Sequence, residues 1–158
     1  MLAAAGLAAG EVTFNVHSHQ LDGSSLYKET MGSVADGEEV TVPQVRIDDV
    51  VKEHGCPGPY LIKIDIQGAE LDALDGATEI LGDTEVIVLE VSLFEFMKRA
   101  PQLDDVIAYM KARGFVTCDL VYGWNRPLDN ALGQVYIVFV SDPGALRREH
   151  GYARTDQL

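Results

Sequence analysis

The chain reads as an α/β protein: parallel strands alternate with amphipathic helices, and the sheet ends in an antiparallel hairpin. Three observations predict this. Tyr60 to Ile66 (YLIKIDI) and Val86 to Val91 (VIVLEV) are nearly continuous apolar, β-branched runs, the pattern of strands buried on both faces of a parallel sheet. Each run is followed by a segment whose apolar residues recur at helical spacing. Two further strand patterns, Phe115 to Tyr122 and Gln134 to Val140, are joined by a short polar connection through Asn125, Pro127, Asp129 and Asn130, which is a hairpin arrangement. Strand–helix alternation of this kind calls for right-handed crossovers.

The elements divide into three blocks. The first, residues 1–45, is a strand-and-loop segment. Glu11 to Val16 alternates as a strand, Glu39 to Val42 is a second candidate, and the polar, Gly- and Ser-rich stretch from His17 to Gly37 reads as a long loop, of a length usually functional or mobile. The second block, residues 46–141, is the core of the fold. Arg46 to His54 carries Ile47, Val50 and Val51 at helical spacing and is stopped by Gly55. After the strand at Tyr60, a helix is expected over Gly68 to Leu81, with Leu71, Leu74, Ala77, Ile80 and Leu81 inward. After the strand at Val86, a second helix is expected over Pro101 to Arg113, with Leu103, Val106, Ile107 and Met110 inward and Gly114 closing it. The third block, residues 142–158, is a charged tail.

Composition narrows the function. The chain has 158 residues, 47% of them hydrophobic, which suffices for one packed core. Twelve Lys and Arg against 25 Asp and Glu give a net charge of −13, which repels nucleic-acid backbones and anionic membrane surfaces. No run reaches the roughly 20 apolar residues of a membrane span, and the apolar start MLAAAGLAAG lacks the basic flank of a signal peptide, so a cytoplasmic protein is expected. Cys56 and Cys118 form no metal or redox motif and read as free thiols.

The chemistry concentrates at strand ends. Asp65 lies near the carboxyl end of an otherwise apolar strand, where open parallel sheets bind their ligands. Burial there raises a carboxylate toward the range of a general base. Glu90 occupies the corresponding place on the next strand, and strands lie about 4.8 Å apart, so the two acids can face one pocket. Such a pair can share a proton, hold a hydroxyl group or bind a divalent cation; a strand-end acid bonded to loop amides is the plainer alternative. Lys63, Gln67 and Glu70 flank Asp65, and Glu70 also suits the first turn of a helix electrostatically. Ser24 and Ser25, in the long loop, can hydrogen-bond a polar substrate. His17 and His19 share a strand face, but without a third ligand a solvated face is the better reading and no metal site is assigned. Trp124 at the hairpin turn can pack or stack on a ligand.

The run LIKIDIQGAEL from Leu61 to Leu71, then VIVLEVS, then Gly114–Phe115 and QVYIVFV, resembles the FkbM family of methyltransferases; the stretch from Gly10 to Ser25 resembles what precedes that core. Tyr136 departs from the pattern, standing where an acid is expected. The resemblance implies a Rossmann-like fold and methyl transfer from S-adenosylmethionine to a hydroxyl of a sugar or natural product. It implies catalytic roles for Asp65 and Glu90, with Ser24, Ser25, Lys63, Gln67 and Glu70 lining the substrate pocket. The family's cofactor is held by a Gly-rich turn after an apolar strand, and this sequence contains none. The expectation is therefore the C-terminal part of such an enzyme, with cofactor-binding residues unassigned, inactive by itself, the alternative being a non-catalytic interaction module. The strand at Tyr60 to Ile66 would then have an uncovered apolar edge, to be closed by self-association or by the N-terminal segment.

Overall fold

The computed structural model describes residues 2–18, 21–32, 35 and 37–157. It is a mixed α/β fold with two open sheets. The first sheet is small. Strands β1 (Ala4–Ala5), β2 (Gly10–Val16) and β3 (Glu38–Val45) stand in the order β1-β3-β2, with β1 parallel and β2 antiparallel to β3. The two strand patterns read in residues 1–45 thus pair with each other, and the predicted long loop joins them.

The second sheet positions the candidate site. Helix α1 (Ile47–His54) ends at Gly55, whose φ of 60° puts it in the left-handed conformation that glycine adopts at low cost. Strand β4 (Tyr60–Ile64), helix α2 (Glu70–Asp75), strand β5 (Thr84–Ser92), helix α3 (Leu103–Ala112) and the hairpin strands β6 (Phe115–Asn125) and β7 (Leu132–Ser141) follow. The strand order is β4-β5-β7-β6: β4 and β5 are parallel, as expected, and β7 is antiparallel to both of its neighbours.

One face of this sheet makes the core. Ile64, Ile87, Leu89, Val91, Ile137 and Phe139 pack against Ala73 and Leu74 of α2 and Val106 and Met110 of α3. Burying such side chains stabilises the fold by about 1.5–3 kcal/mol each. Ile107, expected to point inward, is 38% exposed, because the buried stripe of α3 runs through Val106 and Met110 and Ile107 falls beside it. Register places Leu61 and Lys63 beside Val86 and Val88, and these beside Val140 and Val138, on the opposite face. That face is only partly covered: Leu61 is 68% exposed, so β4 is not buried on both sides as its apolar run predicts. Hydrophobicity on two faces was legible; the exposure of Leu61 on the second was not.

Helix α2 is also shorter than the predicted Gly68 to Leu81. It stops at Gly76, whose carbonyl accepts the backbone N–H of Asp48 at 2.9 Å. The buried Asp48 carboxylate accepts the amides of Glu79 at 3.1 Å and Ile80 at 3.3 Å, and Arg46 Nη2 pairs with it at 2.8 Å. After Gly76 the chain goes on in turns, Ala77 N bonding to Leu74 O and Ile80 N to Ala77 O, while the Glu79 amide is taken by a side chain instead of continuing the helix. Ala77 and Ile80 still reach the core as their spacing predicts.

The described residues of the N-terminal segment do not pair with the edge of β4. Among the described residues β1 pairs with β3, and β5 is the one strand bonded to β4. Cys56 and Cys118 are free and exposed. Among the described residues no helix is long and apolar enough to cross a membrane.

Candidate active site

The parallel register that aligns Ile64 with Leu89 carries Asp65 and Glu90 to neighbouring positions at the carboxyl ends of β4 and β5. The antiparallel register then sets Tyr136 opposite Glu90, Gln134 opposite Ser92, and Trp124 opposite Gln134. Six side chains from four strands so converge on one end of the half-covered face. They open on a cleft of about 900 Å³ lined by Asp65, Gln67, Glu90, Gln134, Tyr136 and Trp124 together with loop residues.

The two acids differ in their surroundings. Glu90 is buried and its Oε2 accepts Gln67 Nε2 at 2.7 Å and Gln134 Nε2 at 3.1 Å. Burial, then the charge of Asp65, pushes its carboxyl up to about 7, against the opposing hydrogen bond from Gln67. Asp65 is more exposed. Burial pushes it upward too, but the hydrogen bonds from the Tyr136 hydroxyl and from Lys63 Nζ at 3.2 Å, with the lysine's charge, outweigh burial and hold it below its ordinary value. The raised carboxyl expected at Asp65 is thus found at Glu90, because the cation and phenol lie on Asp65. Tyr136 in turn is raised, by burial and then by the Asp65 carboxylate it donates to. Lys63 Nζ also sits 4.8 Å from the Tyr136 ring centroid.

The turn that carries Asp65 is tightly built. Gln67 has a φ of 55°, a left-handed conformation that costs a non-glycine residue on the order of 1 kcal/mol or more. This conformation places its amide where Nε2 reaches Glu90 and, at 3.3 Å, Asp65 Oδ1. Gly68 follows with a φ of 100°, and a Cβ there would stand 2.8 Å from Ala100 Cβ. The buried Glu70 accepts the amides of Ile66 and Gly68, both at 3.1 Å, through Oε1; burial raises its carboxyl against these bonds.

The predicted substrate residues separate accordingly. Gln67 lines the cleft, whereas Glu70 lies beneath the turn and stabilises it. Lys63 touches the site through Asp65 from outside the cleft wall. Ser25 is fully buried: its Oγ donates to the Gln67 carbonyl at 2.7 Å and accepts the Tyr27 amide at 2.9 Å. Ser24 Oγ accepts the His17 amide at 3.0 Å. Both serines therefore fix the loop through backbone groups, and neither lines the cleft. The loop itself forms a wall, bonded to the segment after β5 by Thr30 N to Phe96 O at 2.8 Å and Lys98 N to Lys28 O at 2.7 Å. Gln134 escaped the sequence reading and Tyr136 entered it only as a departure from the family pattern; their alternation within QVYIVFV could have placed them on one face, but only register shows that the face carries Glu90.

His17 lines the cleft 3.8 Å from Glu29, while its predicted partner His19 lies outside the described residues. Among the described residues no group of three or more His, Cys, Asp or Glu is set to hold a metal ion.

A family profile described as the Methyltransferase FkbM domain matches residues 4–117. The chain belongs to the FkbM methyltransferase family. The match takes in LIKIDIQGAEL, VIVLEVS, Gly114–Phe115 and the stretch from Gly10 to Ser25, while β7 lies past its end. No curated protein and no solved structure matches the chain.

An FkbM methyltransferase uses S-adenosylmethionine in general, and the residues here can be compared with that need. A nucleotide-type cradle offers free turn amides between a strand and a helix. In the β4–α2 turn, Glu70 already takes the Ile66 and Gly68 amides, and Gly68 is pressed against Ala100. That turn does not fit the cofactor.

Proposed function

We propose that the Asp65–Glu90 pair is the acceptor side of an FkbM-type O-methyltransferase centre that takes a hydroxyl of a sugar or natural product. The observation that supports this reading most is the pair itself: two carboxyls at adjacent strand ends, one kept ionised, the other near neutrality, facing one cleft. An acceptor hydroxyl donates its hydrogen to Glu90, which exchanges a proton readily near pH 7. Asp65, anchored by Tyr136 and Lys63, orients the hydroxyl and keeps its charge. Gln67 and Gln134 hold Glu90 in place. The same pair could instead bind a divalent cation. The two amide donors on one Glu90 oxygen favour a hydrogen-bonded carboxyl.

On this reading the methyl donor is cradled outside the described residues, and this polypeptide alone is inactive. Backbone NMR titration with methyl α-glucoside, a neutral polyol, tests the acceptor side. Shifts confined to Asp65, Gln67, Glu90, Trp124 and Gln134 are expected, and their absence would remove the proposal's basis. Calorimetry with S-adenosylmethionine tests the donor side: no heat is expected, and micromolar binding would overturn the missing cradle.

A further inference from the structure

We propose that the cleft selects an amine-bearing hydroxyl compound, an amino sugar in its ammonium form, over neutral or phosphorylated analogues. This rests on the reading of the cleft as the acceptor side and adds the charge class of the acceptor. Five carboxyl residues line the cavity: Asp22, Glu29, Asp65, Glu90 and Glu95. No lysine lines it among the described residues. Its one arginine, Arg126, is committed elsewhere: Nε and Nη2 bind the two oxygens of Asp129 at 2.8 and 2.6 Å, and the guanidinium lies 3.7 Å from the Phe94 ring centroid. His17, the remaining basic group on the wall, faces Glu29 at 3.8 Å. An anionic phosphoryl group would therefore enter a cavity of its own sign with no uncommitted lysine or arginine among the described residues to meet it.

The walls add a second, independent feature. Phe96, on the segment after β5, and Trp124, at the end of β6, both line the cleft, and the acids lie on the 21–32 loop, at the strand ends and, for Glu95, beside Phe96. Aromatic faces attract ammonium groups as well as the C–H faces of sugar rings. The protein already uses this combination on its own ammonium, since Lys63 sits on both the Tyr136 ring and Asp65. A ring compound with a protonated amine meets the aromatic walls with its body and the outer acids with its charge, and leaves a hydroxyl for the Asp65–Glu90 pair.

The experiment is an NMR titration of the full chain with three sugars of similar shape: glucosamine, N-acetylglucosamine and glucose 6-phosphate. Glucosamine is expected to bind on the order of tenfold more tightly than N-acetylglucosamine, as a few partly screened charge pairs allow, and the phosphate ester most weakly. The preference should shrink at high salt and in Glu95→Gln, with Asp22→Asn as a second, loop-borne variant should the first disturb its segment. Equal binding of glucosamine and N-acetylglucosamine, or stronger binding of the phosphate ester, would overturn the charge selection while leaving the acceptor site intact. Binding of none of the three at Glu90, Gln67 and Trp124 would overturn both.

Discussion

Glu90 and Asp65 are the same chemical group one strand apart, and their neighbours drive them in opposite directions. The consequence for stability can be worked out. A carboxyl raised from about 4.5 to about 7 on folding binds a proton in the native state that the unfolded chain has already lost. This site's contribution is therefore greatest below about pH 4.5 and declines as pH rises to about 7. Glu90→Gln keeps the shape and an acceptor oxygen for Gln67 and Gln134 without the charge. It should be on the order of 1–2 kcal/mol more stable than the parent at pH 8 and about equal at pH 5, read by urea denaturation at both pH values. An unchanged difference across pH would show that Glu90 titrates normally. Tyr136→Phe removes the phenol from Asp65 and should cost about 1 kcal/mol, with the Asp65 carboxyl rising toward its ordinary value. Asp65 and Glu90 were legible in the sequence because an acid in an apolar strand is conspicuous. Tyr136 was legible only as a departure, since a tyrosine in QVYIVFV looks like any strand aromatic until register sets it beside Asp65.

At the scale of elements, the sequence indicated which segments are strands and helices more closely than it indicated their lengths. α2 ends early where Asp48, 31 residues upstream of Glu79, takes the Glu79 and Ile80 amides, and local periodicity carries no trace of such a distant competitor. Asp48→Ala should therefore behave as a buried capping loss, leaving the Glu79 amide without its acceptor and removing the nearer of the two carboxylates paired with Arg46. A cost of about 2–4 kcal/mol is expected by thermal or urea denaturation; a change below 0.5 kcal/mol, the usual surface effect of about that size, would refute the capping role. β4 presents a different problem. Its free edge, with Leu61 exposed beside it, is a pairing surface, and we propose self-association through it. Sedimentation velocity should show concentration-dependent association that Leu61→Lys weakens; a monomer at all concentrations would exclude it.

For the molecule as a whole, the net charge of −13 and the carboxyl-lined cleft share one sign, so the field that discourages phosphate ligands acts both at long range and at the site. The family could be read from LIKIDIQGAEL and its companions because the turn they encode has strict needs: glycine at a φ of 100°, and a glutamate whose side chain satisfies that turn's amides. The cleft could not be read, because its second wall comes from the 21–32 loop and the hairpin connection, segments joined to the acids through tertiary contacts alone.

The acid pair is reached most directly by carbon-13 NMR of the side-chain carboxyls, titrated from pH 3 to 9. Glu90 should titrate with a midpoint near 7 and Asp65 below its ordinary 3.8, each sensing the other's step. Two independent transitions at ordinary carboxylate values would mean that no pair exists at these strand ends, and the acceptor site built on it would be lost.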